Sequence, residues 1–93
     1  MLAKLGKGVV CGDGQPLVLI AGPCVIESQT LVEHVAGQMK EICAGLGISY
    51  VFKASYDKAN RTSVGGFRGP GREDGLGMLS AIGAKFDVPV LTD

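Results

Sequence analysis

No apolar run in this chain approaches the ~20 residues that a membrane-spanning helix needs. The N-terminus also lacks the charged, apolar and small-residue order of a signal peptide. Nor does either sign of charge dominate. Nine basic and nine acidic residues cancel, so no global field draws the chain to nucleic acid or to an anionic membrane. Cysteines are few: Cys11, Cys24 and Cys43 form an odd set with no CxxC. That argues against a disulfide framework and fits a reducing compartment. Histidine is nearly absent, with His34 alone. There are no repeats, low-complexity tracts or linkers. Walker-type nucleotide loops are missing too, and Gly6-x-Gly8 is not followed by a strand-to-helix turn. The expectation is a cytoplasmic protein with neither membrane nor nucleic acid as a partner. At 93 residues it has room for one small domain at most.

What the chain does have is concentrated between Tyr50 and Ser63. The apolar run Tyr50-Val51-Phe52 leads directly into three cations (Lys53, Lys58, Arg61), one amide (Asn60) and three aliphatic hydroxyls (Ser55, Thr62, Ser63). Packing does not ask for that order. Arginine offers a planar fork for phosphate or carboxylate, and lysine a compact point charge. The amide and hydroxyls suit neutral sugar oxygens. The combination suits a phosphorylated, hydroxylated small molecule beside a second anion. The bland alternative is a solvated loop with no ligand. It is disfavoured because these polar groups sit just past the end of a strand that reads as buried, the edge where α/β folds bind ligands.

The apolar pattern alternates strand and helix. Val9-Val10 and the run Leu17 to Ala21 flank Gly12-Asp13-Gly14, a hairpin-turn signal. Leu17-Val18-Leu19-Ile20 reads as a strand buried on both faces of a parallel sheet, and Gly22-Pro23 ends it. Leu31, Val32, Val35, Ala36, Met39, Ile42, Cys43 and Leu46 recur at helical spacing and predict a helix from roughly Gln29 to Ala44. Ser28 or Thr30 can cap it, Thr30 with Glu33 making a capping box, and Gly45 or Gly47 can end it. A strand from Ser49 to Ala54 follows. Next comes a Gly-rich stretch of roughly 20 residues to about Arg72, a loop length that is uncommon unless the loop works. A weaker helix from Glu73 to Phe86 turns Leu76, Leu79 and Ile82 inward. The last strand runs from Val88 to Thr92. Hairpin, β, α, β, loop, α, β is the opening of a parallel α/β protein. Three parallel strands leave open edges, so the expectation is a portion of something longer.

Several other residues carry alternatives. From residue type alone, Cys24 reads first as a buried apolar thiol, with a nucleophile or a metal ligand as the other options. His34, inside the helix and far along from Cys24, reads as a helix-surface residue. Cys11 and Cys43 read as packing residues. Gly65 to Gly71 suits a lid, a backbone anion cradle or plain turns, and Arg68 and Arg72 are as well placed for a surface role as for an anion.

Four stretches, Leu17 to Ser28, Phe52 to Ser63, Phe67 to Gly71 and Pro89 to Asp93, together resemble the 3-deoxy-D-manno-octulosonate 8-phosphate synthases. The resemblance covers nearly all of the chain from Leu17 onward. It implies a (β/α)8 TIM barrel with an N-terminal hairpin across its bottom. A whole barrel takes about 250 residues. The 93 residues would be its N-terminal portion, 1–16 as the hairpin region and 17–93 as the first three barrel strands. The implied reaction condenses phosphoenolpyruvate with arabinose 5-phosphate and water, releasing inorganic phosphate, in lipopolysaccharide (Kdo) biosynthesis. By this resemblance Lys53, Ser55 and Lys58 would hold phosphoenolpyruvate, with Lys53 and Lys58 catalytic. Asn60, Arg61 and Thr62 or Ser63 would hold the sugar phosphate, Arg61 on its phosphate, and Asp93 would face the sugar end. Cysteine at position 24 resembles the metal-dependent branch, whose divalent transition metal takes its other ligands from later strands. An asparagine there marks the metal-independent one. A homotetramer is implied for the full-length protein. Tyr56 stands where Phe is common, and Thr62 where Ser is common.

Two other readings compete. The related 3-deoxy-D-arabino-heptulosonate 7-phosphate synthases use erythrose 4-phosphate and typically carry Lys-Pro-Arg-Thr, whereas Ala59-Asn60-Arg61-Thr62 lacks that proline. A different class altogether is a non-catalytic phosphate-binding or structural fragment.

Overall fold

A computed structural model of the chain describes residues 1–57 and 69–93. It is a mixed α/β structure. Strands β1 (Leu2–Gly6) and β2 (Val9–Gly12) pair antiparallel. Strands β3 (Val18–Ala21), β4 (Ser49–Lys53) and β5 (Val90–Leu91) form a parallel sheet in that order. Helices α1 (Gln29–Leu46) and α2 (Arg72–Phe86) make the crossovers.

The expected hairpin is present, but its partners differ. Its turn lies at Lys7-Gly8, both with positive φ (52° and 79°), and it joins β1 to β2. Gly12-Asp13-Gly14 instead carries the chain from β2 to β3, which do not pair. The turn signal was genuine, but it could not say which apolar run lay across from Val9.

Helix α1 begins where Ser28 accepts a hydrogen bond from Leu31 N–H at 3.1 Å. It ends at Gly47, left-handed at φ 69°, with Ile48 N–H donating to Cys43 O at 3.1 Å. This is the usual closure of a helix by an αL glycine. Thr30 is not the cap, and Glu33 is engaged otherwise: it accepts from Gln29 at 3.1 Å and meets Lys85 of α2 at 3.1 Å. Those bonds hold its carboxyl below the ordinary range, the Gln29 hydrogen bond contributing most.

The two helices touch each other and share one face of the sheet. Lys40 Nζ donates to Phe86 O, and a Cβ on Gly37 would come within 3.3 Å of the Phe86 ring. Sequential strand order with neighbouring helices on one side is the geometry of a sheet that winds in a single direction.

The core lies between this helix layer and β4. Phe52, Ile82 and Ala36 are fully buried, with Val32, Cys43, Tyr50 and Leu79 around them. Leu79 and Ile82 face inward as expected, whereas Leu76 is 42% exposed. Strand β3 is an edge strand. Leu19 and Ala21 pack on the core, but Ile20 is 52% exposed on the opposite face. The run Leu17–Ile20 is therefore not covered on both faces here. Ile42 and Leu46, on the helical stripe, are exposed as well. Cys43 packs as expected, with burial raising its thiol pKa. Cys11 is exposed, contrary to its packing reading. No helix among the described residues is long and apolar enough to cross a membrane.

Candidate active site

The candidate site is built at the C-terminal ends of the three parallel strands. Strand β4 is buried along Tyr50, Val51 and Phe52, so it delivers Lys53 and Ser55 to the sheet edge as fixed points. The edge of β3 is brought close by Gly22. A Cβ there would lie 1.9 Å from the Lys53 carbonyl oxygen and 2.8 Å from its carbon. Only a residue without a side chain allows that approach. Just before it, the Tyr50 hydroxyl donates to Ala21 O at 2.7 Å. Burial pushes the Tyr50 pKa up to about 12, so the phenol stays a neutral donor across the physiological range.

Beyond Gly22 the chain from Cys24 to Ile26 runs beside Ser55 as an extra parallel rung. Ser55 N–H donates to Cys24 O at 3.3 Å, and Ile26 N–H donates to Ser55 O at 3.0 Å. Val25 and Ile26 are buried and anchor this segment, while the Cys24 side reaches solvent. The buried-thiol reading of Cys24 is thereby overturned. Val25 and Ile26 together take the buried positions of this segment, and Cys24, one residue earlier, is left at its exposed rim. An exposed thiol at this edge suits a soft-metal ligand. Among the described residues, however, no three of His, Cys, Asp or Glu stand together to hold an ion. Cys24 on its own is one potential donor and not a complete set.

Asp93, just past β5, closes the arrangement. Its Oδ2 lies 3.5 Å from Lys53 Nζ, and its Oδ1 accepts a hydrogen bond from the Ser55 hydroxyl. Ser55 is fully buried. The Lys53 side chain is 31% exposed and reaches solvent at the edge. Three of the expected site residues, Lys53, Ser55 and Asp93, are thus in direct contact, and Cys24 is tied to them through the Ser55 backbone. Lys58, Asn60, Arg61, Thr62 and Ser63, and with them Arg68 of the Gly-rich stretch, lie outside the described residues. Arg72 is exposed at the start of α2, and His34 is exposed on α1 as expected.

One feature at the base of the loop was not read from the sequence. Tyr56 is gripped by the returning chain: Gly71 N–H donates to Tyr56 O at 3.2 Å. A Cβ on Gly69 would meet the Tyr56 oxygen at 2.2 Å, and one on Gly75 the Tyr56 Cβ at 2.3 Å. The density of glycines between 65 and 77 was the available signal, but spacing alone does not say which of them makes room for a neighbour. A cavity of about 410 Å³ lies elsewhere, lined by Leu5, Lys7, Ser80, Val88 and Val90 among others. It sits at the start of β5 and includes none of the site residues, so the chemistry is assigned to the strand ends instead.

Comparison with known proteins adds the family. The profile described as the DAHP synthetase I family matches residues 1–93. A 2-dehydro-3-deoxyphosphooctonate aldolase from Fusobacterium nucleatum is 60% identical over 90 residues, covering 97% of this chain and 32% of that protein. The protein of the same name from Thiobacillus denitrificans is 60% identical over 82 residues, covering 88% of this chain and 29% of its own length. That from Granulibacter bethesdensis is 62% identical over 82 residues, with the same two shares. The chain spans about a third of the length of the curated relatives it matches.

Proposed function

The chain belongs to the DAHP synthetase I family, and from that premise we propose that it supplies the phosphoenolpyruvate side of an octulosonate-phosphate synthase site. The full-length reaction is the condensation of phosphoenolpyruvate with arabinose 5-phosphate and water. It yields 3-deoxy-D-manno-octulosonate 8-phosphate and inorganic phosphate, a step toward lipopolysaccharide, carried out in the cytoplasm. The fold is the first part of a (β/α)8 barrel, supported by the sequential parallel order β3-β4-β5 with both helices on one side. The full-length protein is proposed to be a homotetramer.

The observation that carries the reading is the meeting of Lys53, Ser55 and Asp93 at the strand ends, in a chain 60% identical to an aldolase whose name states this product class. Lys53 presents a fixed cation at the edge where phosphoenolpyruvate brings a carboxylate and a phosphate. With Lys58 it would hold those groups while the enol carbon faces the aldehyde, so that orientation rather than covalent chemistry lowers the barrier. Asn60, Thr62 and Ser63 would bind the sugar oxygens, and Arg61 its phosphate through a charged, forked hydrogen bond. Cys24 would contribute a thiolate to a divalent transition metal whose role is to polarise or orient the sugar aldehyde end.

Asn60 sets the expected sugar. An amide can bond a hydroxyl that the shorter erythrose 4-phosphate does not present, and a site that bonds a substrate hydroxyl discriminates against the analogue lacking it. The test is a chimera in which this chain replaces the matched segment of the Fusobacterium nucleatum aldolase. Its kcat/KM should favour arabinose 5-phosphate over erythrose 4-phosphate by about tenfold or more. Equal or better use of erythrose 4-phosphate would instead favour the heptulosonate reading.

A further inference from the structure

Tyr50 is a buried phenol that the proposed chemistry does not use. It is 4% exposed and belongs to the same core cluster as Ile26, Val32, Ala36 and Phe52. Phe52, two residues on and on the same face of β4, fills that layer without a polar atom. A hydroxyl placed there costs stability unless it is hydrogen-bonded. The Tyr50 hydroxyl donates to Ala21 O at 2.7 Å, and Ala21 is the last residue of β3. Packing alone would be met by phenylalanine, so what the hydroxyl adds is this bond to the end of β3. The bond sits where the candidate site is assembled. One residue on, Gly22 passes so close to Lys53 that a Cβ would meet its carbonyl oxygen at 1.9 Å. Beyond it, Cys24 O accepts from Ser55 N–H at 3.3 Å, and Ile26 N–H donates to Ser55 O at 3.0 Å. Among the described residues β3 has β4 as its only strand neighbour, so its end is held from the β4 side.

We infer that Tyr50 is a positioning residue: its hydroxyl fixes the end of β3 against β4, which seats Gly22 on the Lys53 backbone and sets the segment from Cys24 to Ile26 beside Ser55. The inference rests on the reading of these strand ends as the phosphoenolpyruvate site. Tyr50 lies in the core layer under the helices and is assigned no contact with substrate. It acts on Lys53 and Ser55 through the backbone of β3 and the segment that follows. A reacting site is sensitive to displacements of about 1 Å, so a bond that adds little to stability has a larger effect on turnover.

The test is Tyr50→Phe in the same chimera, with Ile82→Val as the control. Phenylalanine keeps the ring and its packing and removes only the hydroxyl. Ile82 is fully buried on α2, and trimming one methyl there lowers stability about as much as losing one hydrogen bond. Urea melts should therefore shift alike in the two variants. Turnover should separate them. In Tyr50→Phe kcat falls about tenfold while KM for phosphoenolpyruvate moves by less than about threefold, and in Ile82→Val kcat stays within about twofold. The second readout needs no activity. Hydrogen exchange, read by mass spectrometry, should quicken about tenfold at 22–26 and 54–56 in Tyr50→Phe, with 35–39 in the middle of α1 unchanged. Ile82→Val should show no such selectivity. Equal kcat in the two variants, or exchange at 22–26 and 54–56 no faster than in the unsubstituted chimera, would overturn the inference. A chimera that consumes no phosphoenolpyruvate before any substitution would instead reject the proposed function, and the exchange pattern would still decide the role of Tyr50.

Discussion

Gly22→Ala is expected to lower turnover by about a hundredfold, although it adds a single methyl group remote from any ligand. That methyl would sit 1.9 Å from the Lys53 carbonyl oxygen, well inside contact distance, and the obstacle is backbone rather than a movable side chain. Either the end of β3 or the end of β4 must give way by an ångström or so. A misplacement of that size at a reacting site costs about a hundredfold. Overpacking itself destabilises by about 1–3 kcal/mol, so the variant should still fold. Stability should be followed by urea melts and turnover by phosphate release. The expected pattern is a modest shift in midpoint with a large loss in kcat. Turnover within about twofold of the unsubstituted chimera would mean that the β3–β4 approach does not position the site.

The second large effect concerns the metal proposed at Cys24. Exhaustive chelation of the chimera should lower turnover by about a hundredfold or more, and a divalent transition metal should restore it. Lewis-acid stabilisation is worth several kcal/mol in such sites, and each ~1.4 kcal/mol is tenfold in rate. Activity is not the only readout. Cys24→Ala should weaken metal retention by about a hundredfold or more, since even outer-shell partners of a metal contribute up to about that much. Metal content per chain, measured after gel filtration, checks this independently of turnover. Full activity after chelation, or unchanged metal content in Cys24→Ala, would place the protein in the metal-independent branch.

Much of the architecture was legible because local signals agreed with one another. The apolar period from Leu31 to Cys43, the serine before it and the glycine after it placed α1 within two residues at its C-terminus and at the right residue at its start. The apolar run before Lys53 placed β4, and with it the edge where the site forms. Pairing was the weak point. Gly12-Asp13-Gly14 announced a turn, but the partner of β2 is β1, whose residues are all exposed and whose apolar pattern is correspondingly faint. Burial of β3 was overread for a related reason. A continuous apolar run states what a strand can bury, whereas Ile20 faces a side that nothing among the described residues covers. Within the site, the types of Lys53, Ser55, Asp93 and Cys24 were visible, but their contacts were not. Ser55 and Asp93 are 38 positions apart, and only the parallel register of β4 with β5 brings them together. The exposure of Cys24, next to the buried Val25 and Ile26, is again a tertiary fact.

Turnover tests most directly whether this segment can serve as the phosphoenolpyruvate half of an octulosonate-phosphate synthase. Purified chimera should be mixed with phosphoenolpyruvate, arabinose 5-phosphate and a divalent transition metal, and inorganic phosphate followed with time. The predicted result is phosphate release in step with loss of phosphoenolpyruvate, dependent on both substrates and absent when Lys53 is replaced by alanine. Release that needs no sugar phosphate, or that persists unchanged in Lys53→Ala, would contradict the account.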